Sequence, residues 1–435
     1  MSGNKIYMVM ILGLMLFSAC MVINPPHTTP IPPTETKTVP VDENTTTTET
    51  KTGNEKAKDS VATSVPVKSW AKKDRYTISF VLPFSTDEGE LLKLMGEDKI
   101  TGYQPLASLE FYEGALIALD TLERLGIKLN IHVFNHLKDS LSTAMLLQKE
   151  EIKKSDVIIG PVFNESLKAA AAVAKNQEVY LVSPLSPSNM FTDSNKYFVM
   201  ANPAITTQLS SMVDYVLDNH VAANFIVVYR SDKPAEVKIA EEFKAAFNAQ
   251  KGSSAATLKE VNNFAGISSN INGGGNFVFI AGNDELYING LIRDLSKIGR
   301  SSDITLIGLQ NILSLESVSL DYFESLHFHY PTGYYVDQKL PQVKEFNAAF
   351  EARYATRPSD YAYRGYDVMM YFGTMLNTYG PDLSLSGGKV NPTLRYMMYP
   401  LEFKSVKNAS GVIDHIENAK ITILKYEDYR FQKAN

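Results

Sequence analysis

Cysteine is almost missing from this chain: Cys20 is the only one in 435 residues. A lone thiol excludes an intramolecular disulfide, so the fold must be held by its packed core. Basic excess is missing as well, since 42 Lys and Arg stand against 48 Asp and Glu, a formal charge of −6. With no basic stripe interleaved with aromatics, nucleic acid is not an expected partner. The sequence also lacks the HExxH, GxSxG and GxxxxGK signatures of zinc hydrolysis, acyl transfer and phosphate handling. NGGGN at 272–276 precedes an apolar run instead of following one, the reverse of a phosphate-binding order, and reads as a flexible loop. HFH places His327 and His329 on one strand face with no cysteine or acidic cluster beside them, so strand surface is expected there and no metal site. No enzyme, cofactor or metal is expected.

What is present begins with a leader. Lys5 is the only charge in the first 23 residues, and IYMVMILGLMLF follows it. That run is short for a membrane span but suits the apolar core of a signal peptide. It ends in FSAC, which resembles the lipobox of bacterial lipoproteins. The resemblance implies cleavage after residue 19 and lipidation of Cys20. Met21, not Asp, follows the cysteine, which in enterobacterial lipoproteins permits transfer to the outer membrane, facing the periplasm. Residues 20–74 then read as a tether: 11 Thr and 6 Pro between Pro25 and Thr52 leave almost nothing to bury. Such a segment cannot offset its ordering entropy and is expected to be disordered. Extended at about 3 Å per residue, it reaches on the order of 150 Å.

From Tyr76 the texture changes to strand runs alternating with helical stretches. YTISFVLPF, KLNIHVFN, DVIIGPV and EVYLVSPL read as strands, separated by helices over SLEFYEGALIALDTLERLG, 140–154 and 165–177. Leu109, Tyr112, Leu116, Leu119 and Leu122 form the expected buried stripe of the first helix. A long polar loop, 85–107, precedes it. A second series follows YFVMANPA: helix 205–219, strand NFIVVYR, helix 235–249, strand NFVFIAG, helix 284–298 and strand ITLIGL. LHFHYPTGYYV leads back, two long helices follow, and the end reads as a β-hairpin. The pattern predicts an α/β chain of two doubly wound, parallel-sheet lobes joined by a multi-strand hinge. Lobe 1 is expected over 75–200 and 331–380, and lobe 2 over 201–330 and 381–435.

In such sheets ligands lie outside the carboxyl ends of the strands, so strand ends supply the candidates. Phe84 closes the first strand. After Gly160-Pro161 come Val162, Phe163 and Asn164, with Glu165 in the first turn of the next helix. Backbone N–H groups at that helix start suit an anionic group, and Ser166 adds a hydroxyl. Asn164 is equally accounted for as a plain helix cap. SPLSPS puts Ser183 and Ser186 after the fourth strand, where a proline-stiffened loop is the alternative. Across the cleft, Tyr229 and Arg230 end one strand and Gln310 another. Asp284 and Glu285 follow a third, where acids are also favoured simply by the helix dipole.

The order of these elements, with IGPV, VSPLS, AYRGYD and FNAAFEARYATRPSDYAYRGYD, resembles type I periplasmic binding proteins over about residues 76–435, above all the branched-chain amino-acid-binding lipoproteins of ABC transporters. The resemblance implies a solute-binding lipoprotein closing over a small polar, amino-acid-like ligand and serving a membrane permease. It assigns a ligand carboxylate to Ser183 and Ser186, and a ligand ammonium to the acid at Asp284 or Glu285. Penicillin-binding-protein activator lipoproteins share the fold and imply the alternative: a regulator or scaffold that touches another cell-envelope protein, with loop 85–107 as a docking surface.

Overall fold

The computed structural model describes residues 72–84, 104–136, 139–381 and 394–434, all within one compact unit, Val67–Asn435. The leader, Cys20, the tether and most of the 85–107 segment lie outside the described residues.

The first series runs β1 (Tyr76–Leu82), α1 (Gln104–Arg124), β2 (Leu129–Asn135), α2 (Ser140–Leu146), α3 (Glu150–Lys153), β3 (Val157–Ile159), α4 (Asn164–Gln177), β4 (Tyr180–Ser183) and β5 (Phe198–Met200). The second runs α5 (Ile205–Asn219), β6 (Asn224–Val228), α6 (Pro234–Gln250), β7 (Thr257–Val261), α7 (Phe264–Asn270), β8 (Asn276–Ile280), α8 (Glu285–Ser302), β9 (Ile304–Ile307), a 3-10 turn at Gln310–Ser314, α9 (Leu320–Ser325) and β10 (His329–Thr332). Two helices, α10 (Pro341–Tyr354) and α11 (Asp360–Tyr379), return to the core of the first series. The chain then adds β11 (Phe403–Lys407), β12 (Ile413–Asn418), β13 (Thr422–Glu427) and β14 (Arg430–Lys433).

Among the described residues the strands form two sheets of seven, ordered β2-β1-β3-β4-β5-β12-β11 and β7-β6-β8-β9-β10-β13-β14. The two orders match position by position, and each reverses beside its central pair, β1/β3 and β6/β8. The first five strands of each sheet pair parallel. Strands buried on both faces, such as β6 and β8, are continuous apolar runs; the edge strands β2 and β7 alternate exposed and half-buried residues. That contrast follows from helices covering both faces of a parallel sheet. The doubly wound, two-lobed α/β architecture is the one the sequence predicted.

Four details differ. The C-terminal strands are two hairpins, not one, and they part company: β11 and β12 extend the first sheet, β13 and β14 the second. Residues 403–418 therefore belong with lobe 1, although 381–435 was expected wholly in lobe 2. Helix α1 begins at Gln104, inside the expected loop. Its buried face is Phe111, Ala115, Ala118 and Leu122; of the expected stripe, Leu122 is core, Tyr112 and Leu119 pack partly buried against it, and Leu109 is 43% exposed, so the core face is turned away from the stripe's centre. The close partner dictates this: α1 crosses α11 where a Cβ on Gly114 would stand 1.8 Å from the Ala362 carbonyl oxygen, and one on Gly365 1.8 Å from that of Phe111. Finally, 140–154 is two short helices, α2 and α3, rather than one.

Three segments cross between the sheets: 201–204, 333–340 and 419–421. Asn418, fully buried, gathers them. Its Nδ2 donates to the carbonyls of Ala201 (3.3 Å) and Gly333 (3.4 Å), and its Oδ1 accepts the N–H of Glu402 (3.1 Å) and Lys420 (3.2 Å). Beside it the buried Asp367 accepts from Tyr334 Oη (2.7 Å), Met398 N (2.9 Å) and Tyr399 N (2.8 Å).

Candidate functional site

On the first lobe, the strand-end notch is built on Gly160. Its φ of +98° is one that side chains disfavour, and a Cβ there would stand 2.1 Å from the Val81 carbonyl oxygen, so only glycine fits. Helix α4 opens with Phe163 as its N-cap and no side-chain cap. Asn164 is therefore not the cap; its Oδ1 accepts from Ser186 Oγ at 3.1 Å, and Ser186 Oγ in turn accepts from Ser188 N at 3.2 Å. These two residues fasten the β3 and β4 end loops together.

Other candidates of this lobe face inward. Ser166 is fully buried, with its hydroxyl 3.0 Å from Thr143 Oγ1 on α2, so it adds nothing to the notch surface. Ser183 is also fully buried, and its hydroxyl has no partner among the described residues. It is the last residue of β4 and lines neither of the cavities described below. Val162 is a core residue, Phe163 sets its ring edge-on to His136 at 5.6 Å, and Phe84 does the same to Tyr112 at 5.7 Å.

On the second lobe, Arg230 is the centre of an ion cluster. It donates to both oxygens of Glu236, at 3.1 and 3.2 Å from Nε and more closely from Nη2, and to Asp284 Oδ2 at 2.9 Å from Nη1. Its guanidinium also lies 4.4 Å from the Tyr287 ring centroid. The Glu236 and then the Asp284 hydrogen bonds raise the Arg230 pKa and fix it charged. Asp284 caps α8, accepting from Tyr287 N at 3.1 Å; that bond, then Arg230, lowers its pKa. Both oxygens of Asp284 are thus engaged. Glu285 accepts from Ser317 N at 2.7 Å, and Tyr229 Oη donates to Glu260 at 3.0 Å on the edge strand. Each of these four is hydrogen-bonded within its own lobe, and none of them lines the two cavities described below. In the same lobe, His329 Nδ1 lies 2.6 Å from the His327 carbonyl and its ring stacks on Tyr215.

Two adjoining cavities of about 310 Å³ each lie at these strand ends, sharing Pro187, Ile205, Ala235 and Ile239. The outer one is bounded by Asn164, Ser186, Ser188 and Asn189 from the first lobe and by Lys238 and Glu242 of α6. The inner one adds Asn202 and Gly333 from the crossing segments, Gln208 of α5, Glu236 of α6, and Asn283, Gln310 and Asn311. Of the sequence candidates, the cavities gather Asn164, Ser186 and Gln310. Asn202, Gln208, Glu236, Asn283 and Asn311 were not among the candidates, and two of them, Gln208 and Glu236, stand on helices α5 and α6, where the strand-end rule does not look. Asn202, Asn283 and Asn311 lie just past the ends of β5, β8 and β9, where that rule could have found them.

A family profile described as periplasmic binding protein matches residues 115–423. The chain belongs to the periplasmic binding protein family. Solved structures of the same fold include an ABC transporter substrate-binding protein from Desulfitobacterium hafniense in complex with Leu, 16% identical, with a TM-score of 0.52 over 83% of this chain and 100% of that one. Another is a branched-chain amino acid ABC transporter periplasmic ligand-binding protein from Burkholderia xenovorans, 11% identical, with a TM-score of 0.53 over 83% and 94%. No curated protein gives a significant match. Among the described residues of this periplasmic binding protein, no helix is long and apolar enough to cross a membrane.

Proposed function

We propose that the protein is a lipid-anchored, extracytoplasmic solute-binding protein whose two lobes close over a small polar ligand and deliver it to an ABC-type permease, without chemistry of its own. The observation that carries this reading is the pair of cavities at the strand ends, walled by Asn164 and Ser186 from one lobe and α6 from the other, and backed by the crossing segments. A ligand held there makes contacts to both lobes only when they are closed, so it stabilises the closed form. The amino-acid-like ligand that the resemblance implied loses expected contacts here, since Asp284 and Glu285 are engaged within their own lobe.

The test is a melting screen of the chain from about residue 70 against small polar solutes. A true ligand at 100 times its dissociation constant adds about 2.7 kcal/mol, and small-angle scattering should show a smaller radius of gyration with it. Stabilisation without compaction would refute closure. The anchor is tested separately: a fatty-acid analogue fed to cells should label the wild type and not Cys20→Ser, and equal labelling of both would refute it.

A further inference from the structure

The inner cavity has an unusual chemical balance. Glu236 is the one charged residue among those lining it. Its carboxylate is already satisfied, because both oxygens accept hydrogen bonds from Arg230. The remaining polar lining is carboxamide. Asn202, Gln208 and Asn311 donate their amide N–H groups to backbone carbonyls, of Leu185 at 2.8 Å, Pro203 at 2.9 Å and Gly282 at 2.8 Å. Those bonds fix which way each amide points. They leave three amide oxygens that accept no hydrogen bond from the described residues. Asn283 and Gln310 make no side-chain hydrogen bond within the described residues, so each keeps both a donor and an acceptor.

From this we infer, building on the solute-binding reading above, that the inner cavity selects an uncharged, hydroxyl-rich ligand rather than a zwitterionic or anionic one. A charged group entering it gives up part of its hydration and meets no unpaired counter-charge among the lining side chains, which is costly. A hydroxyl both donates and accepts, so fixed amide oxygens and free carboxamides satisfy it together. Ile205, Ile239 and Leu309 supply apolar wall for the C–H face of such a ligand. The volume, about 310 Å³, is at the small end of ligand sites.

The test is calorimetric titration and melting of the chain from about residue 70 with two sets of probes: D-ribose, D-glucose, myo-inositol and N-acetyl-D-glucosamine against L-leucine, L-glutamate, L-lysine and benzoate. The expected result is binding by one or more of the uncharged set and tighter than any charged probe. For that probe, Gln310→Ala or Asn283→Ala, which remove no hydrogen bond among the described residues, should weaken binding at least tenfold while ligand-free melting stays close to wild type. A charged probe bound more tightly than every uncharged one overturns the ligand class and leaves the solute-binding reading standing. No binding in either set overturns both. An uncharged probe whose affinity ignores both substitutions overturns the assignment to this cavity.

Discussion

Asp367 shows at the scale of one residue how burial and hydrogen bonding compete. Burial raises its pKa to about 7, against the Tyr334 hydroxyl and two backbone N–H groups that favour the ionised form. A folded-state value above the unfolded one, about 3.9, means that its contribution to stability is full below pH 4 and is lost as pH rises through 7. His415 adds the same sign at higher pH: burial would lower its pKa, but Glu417 and Asp414 on its two ring nitrogens raise it overall, so its contribution is lost as pH climbs past that raised value. Denaturant unfolding at pH 4, 6 and 8 should therefore show the gap between wild type and Asp367→Asn shifting in favour of the variant as pH rises. A gap independent of pH would show that Asp367 does not titrate in the fold. At the same scale the sequence was least legible. Asn202, Gln208 and Asn311 are ordinary polar residues in the chain, and only the backbone carbonyls that orient them make them a surface.

Elements were legible where a single local rule governs them. Helix 205–219 is where the sequence reading put it, and the first of the two long helices after LHFHYPTGYYV is there as α10, because each buries one stripe: Leu209, Met212, Val213 and Val216 in α5, and Val343, Phe346 and Phe350 in α10. Edge strand β7, TLKEV, was missed because neither face is buried and its alternation is polar. In α1 the rule pointed to the side of the core face, catching Leu122 and the partly buried Tyr112 and Leu119, since long-range contact with α11 decides where the centre lies. Gly114 and Gly365 allow that contact, and neither is visible to a search for leucines. Gly114→Ala should force the two helices apart and cost about 1–3 kcal/mol, the usual penalty for overpacking. Alanine at Gly290, where a Cβ meets nothing within 4 Å, should instead be neutral or stabilising by a few tenths, consistent with better helix propensity. Melting of the two variants side by side is the check; equal effects would remove the crossing from the account.

For the whole molecule the decisive residue is Asn418, which ties all three crossing segments with one carboxamide. Asn418→Ala leaves two carbonyls and two N–H groups without this partner, and should cost about 1–3 kcal/mol. It should also broaden the range of lobe arrangements, read as a larger ligand-free radius of gyration; an unchanged radius would assign the crossings' stiffness to packing alone. The sequence suggested two lobes because the strand–helix alternation repeats. It could not show that the last four strands are shared out between them, since β12 meets β5 across more than 200 residues of chain. That sharing has a temporal side. A ribosome delivers residues 403–433 after the other strands, and until then each sheet is two strands short. The pairings β5–β12 and β10–β13 are long-range contacts of the kind that form slowly. The two lobes therefore reach completion together, and late.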